Sequence, residues 1–310
     1  METRSAANVR LPDFLVIGAY KCGTTSLCHY LSGHDQIFLP HLQEPRFFAL
    51  PDGVASRRKG RVPRVDRRDV YARRHAWTLE QYASLFAAAP RHSMAGECSP
   101  EYLRSSASAA PAIRDQIPDA KLLAILRNPV ERAFSEYLHF VRDGLEQDTF
   151  EVAISRRQSL RPKHSYVLTG YYASQLASYL KRFPGEQLKI VLFDDLRDDP
   201  TRTLRDLFSW LGVDQPATLG ASERLNPSGM PRGRLVAAAY RARRRLRPYV
   251  KPWFPRRVQT RIDRVLSQRL DRPVLRNETR RRLCAVYAED VLLLDEITGR
   301  DLSGRWLRVR

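Results

Sequence analysis

The sequence predicts an α/β fold in which a central parallel sheet is covered by helices on both faces. Three short apolar runs have the length and the residue types of buried strands: LPDFLVIGA (11–19), AKLLAIL (120–126) and LKIVLF (188–193). Helical patterns alternate with these runs, over residues 25–31, 128–144, 171–181 and 200–211. Since consecutive parallel strands need a crossover connection, this alternation is typical of a parallel sheet with helices packed on both sides.

The first strand passes directly into a loop rich in glycine and threonine. Residues 18–25 read GAYKCGTT, with four residues between Gly18 and Gly23 and hydroxyl groups at the start of the next helix. Glycine lets the backbone approach an anion closely, and the helix N-terminus presents its first N–H groups to that anion. This layout predicts a phosphate-binding loop, although an ordinary turn that caps a helix has similar residues.

The lysine of this loop is displaced from the position that a kinase requires. In a kinase loop, lysine directly follows the second glycine, whereas here that position is Thr24 and the lysine is Lys21. A transferring phosphoryl group carries two or more negative charges and usually needs a metal ion, but a sulfuryl group carries one. The displaced lysine therefore favours sulfuryl transfer without a metal, and a P-loop nucleoside or small-molecule kinase is the alternative.

Length and composition suit one large domain. A chain of 310 residues with 43% hydrophobic content can bury one sizeable core. We expect a single domain over residues 1–310, with an α/β core at 8–220 and a basic region at 221–310 that completes the binding sites. The net charge of +19 suits an anionic partner, but most of the positive charge is arginine, a bias that coding composition can also produce.

Two basic segments interrupt the α/β pattern. Residues 56–75 are predicted to form a surface loop or flap, and residues 231–282 are dense in arginine and contain several prolines. A final helix is expected from Asn277, its predicted N-cap, to Thr298, with Gly299 closing it. The segments have the charge to bind an anionic acceptor, but a basic face is often simply solvated.

The cysteines and the apolar runs bear on the cellular location. Cys22, Cys28, Cys98 and Cys284 are scattered without metal-ligand spacing, so we expect reduced thiols and neither a zinc site nor a disulfide bond. No apolar run reaches membrane-spanning length, and residues 1–10 lack the apolar stretch of a secretory signal. These features predict a cytoplasmic protein with no membrane span. The sequence leaves the oligomeric state open.

Six stretches, in this order along the chain, match one family pattern: PDFLVIGAYKCGTTSL (12–27), EPRFF (44–48), GECSPEYL (96–103), ILRNPVERAFSEYLH (125–139), GYYASQLASYL (170–180) and LCAVYAEDVLLLDEITGRDLSGRW (283–306). They resemble the sulfotransferases that use 3'-phosphoadenosine 5'-phosphosulfate, especially the branch with the heparan sulfate sulfotransferases and their bacterial relatives. The resemblance implies a P-loop-like three-layer sandwich, this nucleotide as the co-substrate, and no metal ion.

The resemblance also implies which residues hold the 5'-phosphosulfate. They are the residues of the first loop and of the helix start, namely Lys21, Gly23, Thr24, Thr25 and Ser26. Lys21 has a second, catalytic role, because positive charge is needed near the oxygen that leaves with the nucleotide.

The other end of the nucleotide is assigned in the same way. Arg127 and Ser135 match the 3'-phosphate site of the family. Arg127 follows a strand, where α/β sheets bind ligands, and its guanidinium has a planar fork that suits phosphate oxygens. Taken singly, Arg127 would better suit a surface ion pair with a nearby carboxylate, and Ser135 would better suit a small residue that faces solvent or a neighbouring strand. The loop that folds over the nucleotide corresponds to Arg232, Gly233 and Arg234.

Glu44 is the predicted general base. It precedes Phe47 and Phe48, so its carboxylate is expected to be partly desolvated, and the matching glutamate of the resembled branch serves as base. Relatives often carry lysine before this glutamate and histidine two residues after it, where this chain has Gln43 and Arg46. Arg46 cannot shuttle a proton but can hold a sulfuryl oxygen or orient Glu44. A simple ion pair between Glu44 and a nearby arginine is the alternative.

The predicted reaction is sulfuryl transfer to a hydroxyl or amine, and the expected acceptor is a carbohydrate, such as an anionic saccharide, or a small metabolite. A non-catalytic basic protein that binds nucleic acid or anionic lipid through residues 56–75 and 231–282 is a second alternative. Those segments contain no recognisable nucleic-acid motif, so we expect no nucleic-acid partner.

Overall fold

The computed structural model describes residues 10–49, 78–160, 166–216, 229–233, 236–240, 242, 268–271 and 273–308. These residues form two compact units, the first within Met1–Arg127 and Tyr172–Glu223 and the second within Asn128–Tyr171 and Arg224–Arg310. The predicted basic loop at 56–75 and much of the segment 231–282 lie outside the described residues. The single domain expected over residues 1–310 stays a prediction.

The first unit is built on a five-stranded parallel sheet. Its strands are β1 (Phe14–Gly18), β2 (Ile37–Phe38), β3 (Met94–Cys98), β4 (Lys121–Leu126) and β5 (Leu188–Leu192). The order across the sheet is β2-β3-β1-β4-β5, and each neighbouring pair runs parallel.

The two units also contain helices. Numbered along the described residues, they are α1 (Thr24–Ser32), α2 (Leu79–Ser84), α3 (Glu101–Arg104), α4 (Ser106–Gln116), α5 (Pro129–Arg142), α6 (Phe150–Leu160), α7 (Tyr172–Leu180), α8 (Phe193–Asp198), α9 (Pro200–Leu211), α10 (Asn277–Thr298) and α11 (Leu302–Trp306). Within the described ranges, none of them has the length and apolar content that crossing a membrane requires.

The central strands of the sheet are buried on both faces. All residues of β1 are buried, as are all residues of β4 after Lys121. Because successive side chains of a strand point to opposite faces, a strand that is buried throughout must be covered on both sides. The sheet is therefore the middle layer of an α/β sandwich, as the sequence predicts.

The predicted boundaries hold to within a few residues. The run at residues 11–19 contains β1, and the helix expected at 171–181 is α7. The helix expected at 200–211 has those bounds. The run at 188–193 ends one residue early, because Phe193 begins α8, a helix that the sequence did not indicate.

A disulfide bond joins Cys28 to Cys98, so the prediction that all four cysteines are reduced thiols is wrong for this pair. Cys28 lies in α1 and Cys98 ends β3, and their Cα atoms are 6.6 Å apart at a sequence separation of 70. Since α1 follows β1 and β3 pairs with β1, the sheet brings the two residues together. Cys22 and Cys284 are buried thiols outside this disulfide bond.

The second unit contains α5, α6, α10 and α11 together with a short antiparallel pair, β6 (Met230–Pro231) and β7 (Leu270–Asp271). The N-terminus of α5 is capped as predicted, since the side chain of Asn128 accepts hydrogen bonds from the N–H groups of Val130 and Glu131. In α10, Asn277 is the first helical residue and Arg276 is the N-cap, so the predicted cap is one residue off.

The second unit contains a buried ion pair. The guanidinium of Arg132 lies 2.8 Å from the carboxylate of Glu136 one helical turn later, and both side chains are fully buried or nearly so. Arg132 also donates to the backbone carbonyl of Tyr166. Buried charges are tolerated only when they are paired and hydrogen-bonded, so we assign Arg132 to the core of this unit.

Replacing Gly96 by alanine should destabilise the first unit. Gly96 lies in β3, and a Cβ atom there would overlap the ring of Phe14, which is fully buried in β1. Overpacking of this kind costs about 1–3 kcal/mol, which urea unfolding followed by circular dichroism would measure. Gly185→Ala is the matched control, because no atom of the described residues lies within 4 Å of its Cβ position. Equal unfolding midpoints for the two variants would contradict this packing.

Candidate functional site

The carboxyl ends of the parallel strands all lie at one edge of the sheet. The strand order reverses between β1 and β4, because β2, which follows β1 in sequence, lies on one side of this pair, and β5, which follows β4, lies on the other side. Ligands of open α/β sheets bind outside the carboxyl ends of the strands at such a switch point. The loop after β1 and Arg127 after β4 flank this point.

The loop after β1 leads into the N-terminus of α1. Gly23 is the N-cap of α1, with φ of 93°, and no side chain among the described residues caps the helix N-terminus. The first N–H groups of α1 are thus left for a ligand, and the helix dipole favours an anion there. Thr24 is buried and Thr25 is exposed, while Lys21 and Ser26 are partly exposed.

Phe193 connects this loop to Arg127. A Cβ atom on Gly23 would lie 2.7 Å from Cδ2 of Phe193, so only glycine fits against that ring. The guanidinium carbon of Arg127 lies 4.9 Å from the centre of the same ring. The two predicted anion-binding positions therefore share one aromatic neighbour, and the sheet edge brings them together.

Tyr172 makes a second connection between the same two segments. Its buried hydroxyl donates to the backbone carbonyl of Arg127 (3.0 Å) and lies 3.4 Å from Sγ of Cys22. The hydroxyl of Tyr172 thus contacts both the loop after β1 and the residue that follows β4. The sequence alone did not indicate this link, nor the part played by Phe193.

Glu44 lies in the segment that follows β2, and its carboxylate is 2.5 Å from the guanidinium of Arg46. Both side chains are partly exposed. Burial lowers the pKa of Arg46, but the carboxylates of Glu44 and Glu101 outweigh burial and raise it above its ordinary value. An electrostatic interaction with Tyr20, in the loop after β1, also raises the pKa of Arg46, so the Glu44 segment lies near that loop.

The backbone is unusual at three of these positions. Among the described residues, the non-glycine residues with positive φ are Lys21 (65°), Glu44 (53°) and Arg46 (55°). Residues other than glycine, asparagine and aspartate rarely adopt this backbone conformation. Where they do, the surrounding structure enforces it, and such residues cluster at functional sites. Both predicted catalytic residues are in this set.

The other predicted donor ligands lie in the second unit or outside the described residues. Ser135 is buried within α5. Arg232 is exposed and forms an ion pair of 2.6 Å with Asp271, and Gly233 is exposed with φ of 84°. Arg234 is outside the described residues. Their assignment to the donor stays a prediction.

Comparison with known proteins supports the family suggested by the sequence. A sequence model of the sulfotransferase family matches residues 12–217. Mouse heparan sulfate glucosamine 3-O-sulfotransferase 3B1 is 28% identical over 211 residues, which are 67% of this chain and 48% of the mouse protein. Human bifunctional heparan sulfate N-deacetylase/N-sulfotransferase 3 is 30% identical over 217 residues, which are 66% of this chain and 22% of the human protein. The chain thus spans less than half the length of these curated relatives.

A solved structure gives a fuller match. A sulfotransferase from Alicyclobacillus acidocaldarius is 30% identical and superimposes with a TM-score of 0.69, covering 97% of this chain and 100% of its own. This agreement in fold confirms the P-loop-like α/β sandwich expected from the motifs. The match of the family model includes the loop after β1, Glu44 and Arg127. The chain therefore belongs to the sulfotransferase family.

Proposed function

We propose that this chain transfers the sulfuryl group of 3'-phosphoadenosine 5'-phosphosulfate to a hydroxyl or amine of an acceptor, with Glu44 as base and Lys21 beside the leaving group. The observation that carries the proposal is the disfavoured backbone conformation at both residues, at the ligand-binding edge of the sheet. Backbone strain of this kind persists only where surrounding contacts enforce it, and such strained residues cluster at active sites.

The donor is proposed to lie across the switch point of the sheet. Its 5'-phosphosulfate would accept hydrogen bonds from the first N–H groups of α1, and its 3'-phosphate would lie on Arg127. The shared contact with Phe193 and the link through Tyr172 support one nucleotide reaching both positions. By resemblance, Ser135 and the loop Arg232–Arg234 are further ligands of the donor.

The proposed chemistry is an in-line displacement at sulfur. A lone pair on the acceptor oxygen or nitrogen forms the new bond to sulfur, while the bond between sulfur and the 5'-phosphate oxygen breaks. The electron pair of that bond leaves with 3',5'-adenosine bisphosphate, whose new negative charge the ammonium of Lys21 stabilises. Glu44 takes the acceptor proton, and because its carboxylate is about one third exposed an acceptor can reach it.

The position of the lysine distinguishes this proposal from a kinase. Thr24 occupies the position directly after the second glycine, and Lys21 lies within the loop, in the left-handed region. A single ammonium suits the lower charge of a sulfuryl group.

The proposed acceptor is a carbohydrate or a small metabolite. The names of two relatives specify heparan sulfate, and one of them specifies glucosamine. A chain with a net charge of +19 would also concentrate an anionic saccharide at its surface. Desulfated heparin oligosaccharides, chitooligosaccharides and 4-nitrophenol form a panel that separates these classes.

The proposed function is tested by incubating the full chain with ³⁵S-labelled donor and each compound of the panel, and by following label and released 3',5'-adenosine bisphosphate together. The proposal predicts equal amounts of labelled acceptor and of the bisphosphate. Release of the bisphosphate without labelled acceptor would contradict it, as would phosphoryl transfer from ATP with Mg²⁺ in place of sulfuryl transfer.

Replacing Arg127 by lysine should remove the preference for a 3'-phosphate. Lysine keeps the charge but lacks the planar fork that holds two phosphate oxygens. We expect the parent to bind 3',5'-adenosine bisphosphate more tightly than 5'-AMP, and the variant to narrow this ratio about tenfold. Isothermal titration of both nucleotides measures the ratio. Arg205→Lys, at an exposed position of α9, is the control and should leave the ratio unchanged. An unaltered ratio in Arg127→Lys would place the 3'-phosphate elsewhere.

The proposal includes a cytoplasmic location, and the disulfide bond between Cys28 and Cys98 bears on this part of it. Disulfides persist mainly in oxidising compartments, whereas the sequence predicts the cytoplasm. Cell fractionation followed by alkylation of free thiols would locate the protein and report the state of Cys28 and Cys98 there.

A further inference from the structure

A buried carboxylate lies behind the Glu44 segment. Glu97, in β3, is 1% exposed, and its two oxygens accept hydrogen bonds from three hydroxyl groups. Tyr82 of α2 donates to Oε1 at 3.0 Å, Tyr102 of α3 donates to the same oxygen, and Ser99 donates to Oε2 at 2.7 Å. These three donors come from three different parts of the first unit, and Glu97 connects them.

Two of the three hydroxyl groups continue to the backbone that carries Glu44. The Ser99 hydroxyl accepts the N–H of Arg46 at 3.0 Å, and the Tyr102 hydroxyl accepts the N–H of Phe48 at 3.4 Å. A hydroxyl has one proton, so when that proton goes to Glu97 its lone pairs are turned toward the N–H group. The ionised carboxylate thereby fixes the direction in which Ser99 and Tyr102 accept.

The segment held in this way is the one with the unusual backbone. Glu44 and Arg46 both have positive φ, and the N–H that Ser99 accepts belongs to Arg46 itself. A conformation that costs about 1–3 kcal/mol persists only where surrounding contacts enforce it. The hydrogen bonds to Ser99 and Tyr102 are such contacts.

We propose that Glu97 is a positioning residue, which holds the Glu44–Arg46 turn in its catalytic conformation through the hydroxyl groups of Ser99 and Tyr102. The inference rests on the proposed function, in which Glu44 is the base. Glu97 touches neither donor nor acceptor in this role, and it acts only through the backbone that carries Glu44.

The ionisation of Glu97 makes this role dependent on pH. Burial raises the pKa of Glu97 to about 7, and the charge of Glu44 raises it as well, whereas the hydrogen bonds of Tyr102, Ser99 and Tyr82 lower it. The titratable groups that face it are thus Tyr82, Tyr102 and Glu44, and burial raises the pKa of both tyrosines well above the ordinary value, so they stay protonated donors. Below pH 7 Glu97 gains a proton and no longer accepts from all three hydroxyl groups.

Replacing Glu97 by glutamine should lower kcat by about 10-fold to 100-fold without changing the KM for the donor. Glutamine keeps the shape but replaces one acceptor oxygen by an N–H donor, so Ser99 must turn its proton away. The parent should lose kcat as the pH falls through about 7, and Glu97→Gln should lack this limb. Rates are measured between pH 5.5 and 9, with the panel compound that accepts sulfate fastest.

Tyr82→Phe is the matched variant. Tyr82 donates to Glu97 but the backbone N–H groups of Arg46 and Phe48 are accepted by Ser99 and Tyr102, so the turn keeps its contacts. Since the hydrogen bond from Tyr82 lowers the pKa of Glu97, its loss should move the acidic limb of kcat to higher pH. We expect kcat at pH 9 to stay within about threefold of the parent, because ionised Glu97 then still orients the other two hydroxyl groups.

The outcomes separate this inference from the proposed function. If the parent transfers sulfate and Glu97→Gln keeps both the kcat and the acidic limb of the parent, the positioning role is wrong and the proposed function stands. If Glu97→Gln loses affinity for 3',5'-adenosine bisphosphate in step with kcat, Glu97 supports the fold as a whole and the inference is also wrong. A parent that transfers no sulfate contradicts the proposed function itself.

Discussion

Replacing Lys21 by alanine should lower kcat for sulfuryl transfer by about 10²- to 10³-fold, the loss that follows removal of one group aimed at developing charge. Lys21 lies in the loop after β1, in the left-handed region, and is the proposed cation beside the oxygen that leaves with the nucleotide. Alanine removes the ammonium but keeps the Cβ atom. The backbone strain at this position therefore stays, whereas glycine would relieve it. The measurement is the initial rate of ³⁵S transfer at saturating donor.

The control for Lys21 is Lys181→Ala, which removes the same charge from an exposed position after α7 in the same unit. We expect this variant to keep the parental rate, because an exposed lysine away from the switch point affects only the overall field. Similar losses in the two variants would show that net charge, and not a group at the leaving oxygen, governs the rate.

Replacing Glu44 by glutamine should lower kcat by about 10²- to 10⁴-fold, the contribution typical of a general base. Glutamine has nearly the same shape but cannot take the acceptor proton. The affinity for 3',5'-adenosine bisphosphate should stay within about twofold of the parent, since the donor is bound by the loop and by Arg127. Rapid-mixing transfer assays and isothermal titration provide the two numbers.

The alternative for Glu44 is an ion pair with Arg46 that serves only structure, and the 2.5 Å contact between them makes it a real competitor. An ion pair between partly exposed groups contributes about 0–1 kcal/mol, so its loss would change stability slightly and leave kcat intact. A full rate in Glu44→Gln, or a loss of nucleotide affinity, would therefore contradict the role of base. Glu186→Gln, at an exposed turn residue, is the control.

Local signals predicted the elements that carry the site. The apolar run before Gly18 gives β1, and the loop residues give the start of α1. Asn128 and Pro129 mark the start of α5 through capping chemistry that depends on neighbouring residues alone. The family resemblance then indicated which residues of these elements bind the donor, and the structure brings Arg127 and the loop to the same aromatic ring.

Contacts between segments that are distant along the chain could not be predicted from the sequence. Cys28 and Cys98 pair because β3 lies beside β1, and neither their spacing nor their composition reveals this neighbourhood. Tyr172 links Cys22 to Arg127 for the same reason.

The residue type of Glu97 did not indicate that its carboxylate is buried. Glutamate is rarely buried, so its place among Tyr82, Tyr102 and Ser99 emerges only when the helices that supply these hydroxyl groups are in position. The positive φ of Glu44 and Arg46 likewise depends on surrounding contacts and has no local sequence signal, since neither residue type favours it.

The central claim is that one adenosine nucleotide is held at both ends by the carboxyl edge of this sheet, and a crystal structure of the full chain with 3',5'-adenosine bisphosphate tests it most directly. The account predicts the 5'-phosphate within hydrogen-bond distance of the first N–H groups of α1 and the 3'-phosphate on the guanidinium of Arg127. A nucleotide bound at any other place, or one whose 3'-phosphate faces away from Arg127, would contradict the account.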